Sequence, residues 1–252
     1  MSNNKVNNHE YYMERQWNYF KKRLETLKVR KWIFLGDSIY NIWNIESIFD
    51  GINFGISGES FNGCLKHIDF IKEIKGHNIF LHFGINDIHT PIDTLKEITT
   101  KVVTEISQNN KIYLSEVLHV NESIYKEHWG FEIKNSKIIE FNKFLESLCN
   151  ENIIYCNSNK YLLKNNELNQ EYTFDGLHLN QIGYSYLEKA YLETIKQNKF
   201  KIKIRLVKII NNENVWKKYI LGIPYAIASY IILLLIYYKY DKFKARRKMG
   251  LM

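Results

Sequence analysis

The chain has 252 residues, 45% apolar and 25% charged, which excludes wholesale disorder and allows one sizeable domain with an appendage or two small ones. Its formal charge of +8 is uneven: residues 199–252 carry 13 Lys and Arg against two acids, whereas residues 1–198 carry 22 basic and 25 acidic residues. An anionic partner such as a membrane surface is therefore indicated for the tail alone, and the first 198 residues give no reason to expect nucleic acid.

The polar stretch Met1–Glu10 leads into no apolar run, so no secretory signal peptide is expected. Residues 1–29 read as an N-terminal amphipathic helical segment, with Met13, Trp17, Phe20 and Leu24 at spacings of three and four. Trp32 to Leu35 is a short apolar run that predicts a buried strand closed by Gly36-Asp37-Ser38. Residues 39–50 have helical spacing and stop at Asp50-Gly51; a second strand over Ile52–Ile56 then ends in Ser57-Gly58-Glu59-Ser60. A helix is expected over about 60–74, followed by a third strand over His77–Phe83 that ends in Gly84-Ile85-Asn86-Asp87. Pro91 suits a helix start, and Ile92, Leu95, Ile98, Val102 and Ile106 form a stripe to Ser107.

Lys111–Leu118 reads as a fourth strand, 119–133 as a loop of charges and aromatics, 136–149 as a helix and Ile153–Cys156 as a fifth strand. The loop 157–177 is long for a compact domain, a frequent mark of function. A last helix covers about 181–195, and the composition changes abruptly near 196–199. Cys64, Cys149 and Cys156 lack Cys-x-x-Cys or His-partnered spacing, so neither a metal site nor a disulfide framework is indicated, and a reducing compartment fits. Strands alternating with helices imply parallel β-α-β units with helices on both faces, hence an α/β fold.

In a parallel sheet the ends of strands one, two and three share an edge, and Asp175-Gly176-Leu177-His178, after strand five, can reach it. Ser38 is then a candidate nucleophile, which needs a base to take its proton. His178 is the candidate base, and Asp175 the group that would orient it. The N–H groups of Ser38 and Gly58 and the carboxamide of Asn86 are candidate donors to an oxyanion. Each piece also has an ordinary reading: a turn, a turn glycine, a helix cap, a histidine near a helix start. Their joint arrival at one sheet edge favours acyl-transfer chemistry. His119, at the end of strand four, and His89, after the Asn86 block, are further candidates for contact with substrate, and His82 reads as a packed histidine inside strand three.

Together these blocks resemble the GDSL, or SGNH, hydrolase family. Gly36-Asp37-Ser38 resembles its nucleophile block, Asn53 to Gly58 its glycine block, Gly84-Ile85-Asn86-Asp87 its Gly-x-Asn-Asp block, and Asp175 to His178 its Asp-x-x-His block, in the family's order. Ile39 stands where the family name has Leu. The resemblance implies a flavodoxin-like three-layer α/β/α sandwich on a mostly five-stranded parallel sheet. It implies hydrolysis of esters or thioesters through an acyl-enzyme without metal or cofactor, with Ser38, Asp175 and His178 catalytic and Ser38, Gly58 and Asn86 as oxyanion donors. It also implies a lipid, acyl-thioester or O-acetylated glycan substrate. A catalytically silent ligand-binding module and an O-acyltransferase using the same serine remain open.

The domain is placed at 30–198, followed by a basic juxtamembrane segment (199–218) in which Phe200–Leu206 alternates apolar and basic and reads as extended. Tyr219–Tyr238 holds twenty uncharged residues, about 30 Å as a helix, and predicts a C-terminal transmembrane helix ahead of a basic tail (239–252). Seven basic residues in 199–218 and six in 239–252 leave the positive-inside rule balanced. The lack of a signal peptide favours a single-pass anchor with the catalytic domain on the cytoplasmic side.

Overall fold

The computed structural model describes residues 2–25 and 32–210. Contacts divide the chain into two compact units, Met1–Lys196 and Gln197–Met252.

The first unit is built on five parallel strands in the order β2-β1-β3-β4-β5: β1 (Trp32–Gly36), β2 (Gly51–Gly55), β3 (Asn78–His82), β4 (Lys111–Ser115) and β5 (Ile153–Cys156). This is the order of a flavodoxin-like sheet, whose ligand crevice lies where β1 and β3 leave in opposite directions. Gly36 is level with Gly55 on one side and His82 on the other, so the C-terminal ends of three strands meet one edge.

The strands alternate between two buried faces, as a sheet covered on both sides must. Ile33, Leu35, Ile52, Phe54, Ile79, Leu81, Ile112 and Leu114 join one apolar cluster with side chains of α1 (Ser2–Glu25), α3 (Phe61–Lys66), α4 (Ile68–Ile71), α5 (Ile92–Ser107) and α7 (Asn135–Ser147). Phe34, Phe80 and Tyr113 join a second with α2 (Ser38–Ile42) and α8 (Gln181–Ile210). There Phe34, Phe80 and Tyr191 stack in sequence, with centroids 5.3 and 4.3 Å apart. The Tyr191 hydroxyl, buried among them, is satisfied by Tyr40 and Ser115, each at 2.7 Å.

Several elements depart from expectation for identifiable reasons. The helix expected over 39–50 is only α2 plus a 3-10 turn at Ile45–Ser47, because the Asn53 amide donates to the carbonyls of Tyr40 and Trp43 and ends the helix. The helix expected over 60–74 breaks at His67, whose ring stacks on Trp17 of α1 at 4.5 Å. Strand four stops at Ser115 rather than 118. Beyond it, the backbones of Val117, His119 and Val120 pair with the side-chain amides of Asn142, Asn159 and Asn135 instead of a strand.

The 119–133 loop contains α6 (Glu122–Trp129), capped by Asn121 and closed by left-handed Gly130. The 157–177 loop contains a hairpin of β6 (Leu163–Lys164) and β7 (Glu167–Leu168), joined through Asn165 and Asn166, both at positive φ as its two-residue turn requires. Residues 200–206, read as extended, are helical, since α8 continues to Ile210. The predicted transmembrane helix at 219–238 lies outside the described residues; among these, no helix is long and apolar enough to cross a membrane.

Candidate active site

Ser38 is the first residue of α2, directly past the end of β1. Asp37 caps that helix, its Oδ1 accepting the Ile39 N–H at 3.0 Å. Only glycine lets α2 lie this close to the strand ends: a Cβ on Gly55 would sit 2.3 Å from the Asn41 nitrogen. The Asn41 side chain then donates to the Gly55 carbonyl at 3.0 Å and accepts from Ser57, tying the loop after β2 to the serine's helix.

Ser38, His178 and Asp175 form one hydrogen-bonded chain. The Ser38 Oγ is 2.9 Å from His178 Nε2, and His178 Nδ1 is 2.6 Å from Asp175 Oδ2. The other Asp175 oxygen accepts the N–H groups of Leu177 and His178. Burial pushes this carboxyl up, but the hydrogen bonds from the imidazole and from both backbone N–H groups outweigh it and hold it below its ordinary value. An ionised Asp175 keeps the imidazole proton on Nδ1, leaving Nε2 free to accept from the serine hydroxyl. The turn carrying the pair is itself fixed: Thr173 Oγ1 donates to the His178 carbonyl and accepts from the Gly176 N–H.

The candidate oxyanion donors stand on the neighbouring loops. Gly58 is exposed in a left-handed turn at φ 83°, and its N–H and that of Ser38 meet no acceptor among the described residues. The exposed Asn86 donates one amide hydrogen to the Glu59 carbonyl at 2.7 Å, which leaves the other uncommitted. Glu59 is buried and held by Trp17 Nε1 of α1 at 2.7 Å. Asp87 accepts the Phe61 N–H at 2.7 Å, joining the Asn86 turn to α3.

Three acids, Asp37, Glu59 and Asp87, are thus buried around this edge, and burial raises each of them above the ordinary carboxylate value. Asp37 is pushed up to about 7, by burial and by the proximity of Asp87 and Glu59, against the pull of the Ile39 N–H. Its Oδ2 has no hydrogen-bond partner among the described residues, nor has Nδ1 of buried His82, whose imidazole burial pushes down to about 3.

The other candidate histidines separate. His119 is buried, with Nδ1 2.7 Å from the Asn166 carbonyl, a structural contact rather than one open to substrate. His89 is exposed beside Phe131. All three cysteines are free, and no group of metal-ligating side chains occurs among the described residues. Sequence reasoning missed the aromatics around His178: the Phe174 and Trp129 rings each lie 6.0 Å from the imidazole. Their only sequence signal is the aromatic content of the stretches flanking the Asp-x-x-His block and in 125–131.

Among solved structures, the chain is similar to a Streptococcus pneumoniae protein named for platelet activating factor (24% identity, TM-score 0.64, covering 77% of this chain and 99% of that one). It is similar also to a GDSL-like lipase from Bacteroides thetaiotaomicron (18%, TM-score 0.62, 73% and 98%). A third is a member of the lipolytic G-D-S-L family from Veillonella parvula (18%, TM-score 0.51, 66% and 97%). The fold is that of the GDSL-like lipolytic proteins. No protein-family model matches the chain.

Among curated proteins, it is 32% identical over 193 residues to an N-acylneuraminate cytidylyltransferase of Escherichia coli, covering 70% of this chain and 43% of that protein. It is 24% identical over 163 residues to one of Streptococcus agalactiae, covering 63% and 37%. The chain thus spans less than half the length of either relative. In the GDSL-like fold, Ser38, Gly58 and Asn86 stand just past the C-terminal ends of β1, β2 and β3, and His178 reaches Ser38 from the loop before α8.

Proposed function

We propose that the chain is a serine hydrolase of carboxylic esters. The observation that carries this reading is the unbroken hydrogen-bonded series Ser38–His178–Asp175 at the crevice edge of a parallel sheet. The Ser38 hydroxyl gives its proton to His178 Nε2 as Oγ attacks the ester carbonyl. The N–H groups of Ser38 and Gly58 and the free amide hydrogen of Asn86 receive the negative charge that develops on the carbonyl oxygen. The C–O bond to the alcohol breaks, and His178 returns the proton to the departing oxygen. Water, deprotonated by the same imidazole, then releases the acid from Ser38. Asp175 holds the ring in the tautomer that both half-reactions need.

The substrate is an acylated glycan or a lipid ester near a membrane, with the C-terminal 219–238 stretch as a single-pass anchor and the catalytic unit on the cytoplasmic side. The name of the curated relatives, which concerns an N-acylated sugar acid, favours the glycan. A cytidylyl-transfer role has less support, because the chain covers less than half of either relative and the groups assembled at its sheet edge are those of acyl transfer.

The test is acid release from esters of increasing acyl length and from O-acetylated sugars, with covalent labelling of Ser38 by a fluorophosphonate. Turnover and labelling, both abolished in a folded Ser38→Ala protein, are expected. Labelling with acyl transfer to an added alcohol at the expense of hydrolysis would make the chain an acyltransferase. Absence of both turnover and labelling would leave a binding module.

A further inference from the structure

Ten large apolar side chains are markedly exposed among the described residues; two of them, Trp129 (41%) and Phe174 (61%), lie against His178, and a third, Phe131 (47%), joins Trp129 through Tyr125. Phe174 stacks against the imidazole, with the ring planes 13° apart, and Trp129 approaches it at 53°. Tyr125 links Trp129 to Phe131, and Phe131 faces His89 at 5.9 Å. An aromatic wall therefore runs from the loop after Asn86 to the residue before Asp175.

The wall is held in shape. Gly130 ends α6 in a left-handed turn between Trp129 and Phe131, while Lys126–Glu132 and Lys134–Glu122 ion pairs bind the turn to the helix. The Asn121 backbone N–H donates to the Gly176 carbonyl, and the Gly176 backbone lies against the Tyr125 amide, so α6 is pressed onto the Asp-x-x-His turn. Leaving such rings in water forgoes about 25 cal/mol for each Å² of apolar area.

His178 decides which half of an ester these rings meet. Its Nε2 must deliver a proton to the leaving oxygen, so the groups around the imidazole surround the alcohol, while the acyl carbonyl turns towards Gly58 and Asn86. An alcohol that suits an open aromatic wall has a flat apolar face and a polar rim. Exposed imidazoles of His89 and His128, the latter 5.1 Å from the Trp129 ring, stand beside the wall as partners for that rim. A sugar ring has this form: C–H bonds on one face and hydroxyls around the edge. The glycerol of a lipid has no such face.

We propose that Trp129, Phe131 and Phe174 form the subsite for the alcohol half of the substrate, and that this alcohol is a saccharide ring stacked on them. The assignment rests on the ester-hydrolase reading and specifies its substrate.

The experiment compares kcat/KM on an O-acetylated monosaccharide and on ethyl acetate for the full chain and its Trp129→Ala, Phe174→Ala and Trp129→Phe variants. Each alanine variant is expected to lose at least tenfold more on the sugar ester than on ethyl acetate, chiefly through KM. Trp129→Phe, which keeps an aromatic face, is expected to recover most of the loss. Equal losses on both esters, no loss on either, or a larger loss on ethyl acetate would overturn the assignment.

Binding is read separately in the Ser38→Ala protein, where the sugar ester is expected to change tryptophan fluorescence and the added Trp129→Phe substitution to remove the change. A chain that hydrolyses no ester yet gives this signal keeps the subsite and loses the hydrolase reading. One that hydrolyses esters without the signal keeps the hydrolase and loses the subsite, and one that does neither loses both.

Discussion

Asp37 has one carboxylate oxygen satisfied by the helix it caps and the other buried with no partner among the described residues. A carboxyl raised to about 7 in the folded chain, against 3.8 ordinarily, holds its proton across a window in which the unfolded chain has lost it. Stability from this group is complete below pH 4 and falls as pH rises towards 7, by up to about 1.4 kcal/mol per pH unit. Asp37→Asn keeps the cap acceptor and removes the titration. Urea unfolding at pH 4.5 and 7.5 should show wild type losing about 3 kcal/mol more than the variant between those values, and parallel losses would contradict a protonated Asp37. Asp175 is the opposite case, a carboxyl held low by its donors. Asp175→Asn should lower the melting temperature at neutral pH, where the charge its donors hold is lost, and lower kcat by about 10⁴-fold, because the amide favours the wrong imidazole tautomer. The four motif blocks were legible in the sequence because each is local. The unpaired Asp37 oxygen was not, since burial comes from elements far away along the chain.

Two contacts between elements aim the site, and each yields to one substitution. Gly176 is at φ +83°, and a Cβ there would come 2.4 Å from the Tyr125 nitrogen. Gly176→Ala must therefore move α6 off the turn that holds Asp175 and His178. A destabilisation of about 1–3 kcal/mol is expected in thermal melts, with a fall in kcat at temperatures where the variant is still folded; full activity there would mean that α6 does not aim the turn. At the other contact, Trp17 fixes Glu59, whose carbonyl anchors Asn86. Trp17→Phe keeps the ring and strands a buried carboxylate oxygen, at a cost of about 1–3 kcal/mol. It should lower kcat more than it raises KM, since Asn86 is asked to act on the oxyanion, and a change in KM alone would detach α1 from catalysis.

Strand positions and most helix faces could be read from hydrophobic period, because the sheet buries both surfaces. What could not be read was wherever a side chain replaced a backbone partner. Asn53 truncates α2, and Asn135, Asn142 and Asn159 stand in for a strand beside residues 117–120. The helix α6 was within reach of a closer reading, since Asn121 and Gly130 are ordinary cap residues.

At the scale of the molecule, every residue given a catalytic role, and both apolar clusters, lie before Lys196, where the first compact unit ends. Among the described residues, the last side chain of α8 in the second cluster is Ile195. The second unit brings the excess of basic residues and the uncharged stretch 219–238. Chemistry and tethering should then separate at that boundary. A chain ending at Lys196 is expected to keep kcat/KM on ethyl acetate within about twofold and to leave the membrane pellet. On the single-pass anchor proposed for 219–238, the whole chain should stay in the pellet after alkaline carbonate, because a span of about 30 Å of apolar helix is not displaced by stripping surface charge. Leu234→Arg, placing a charge within the stretch at a cost of about 2.5–3.5 kcal/mol to a spanning helix, should raise the fraction of the whole chain that carbonate releases while leaving kcat/KM on ethyl acetate unchanged. Release of the unaltered chain by carbonate would reduce the tail to an electrostatic surface contact, in which case salt alone should elute it.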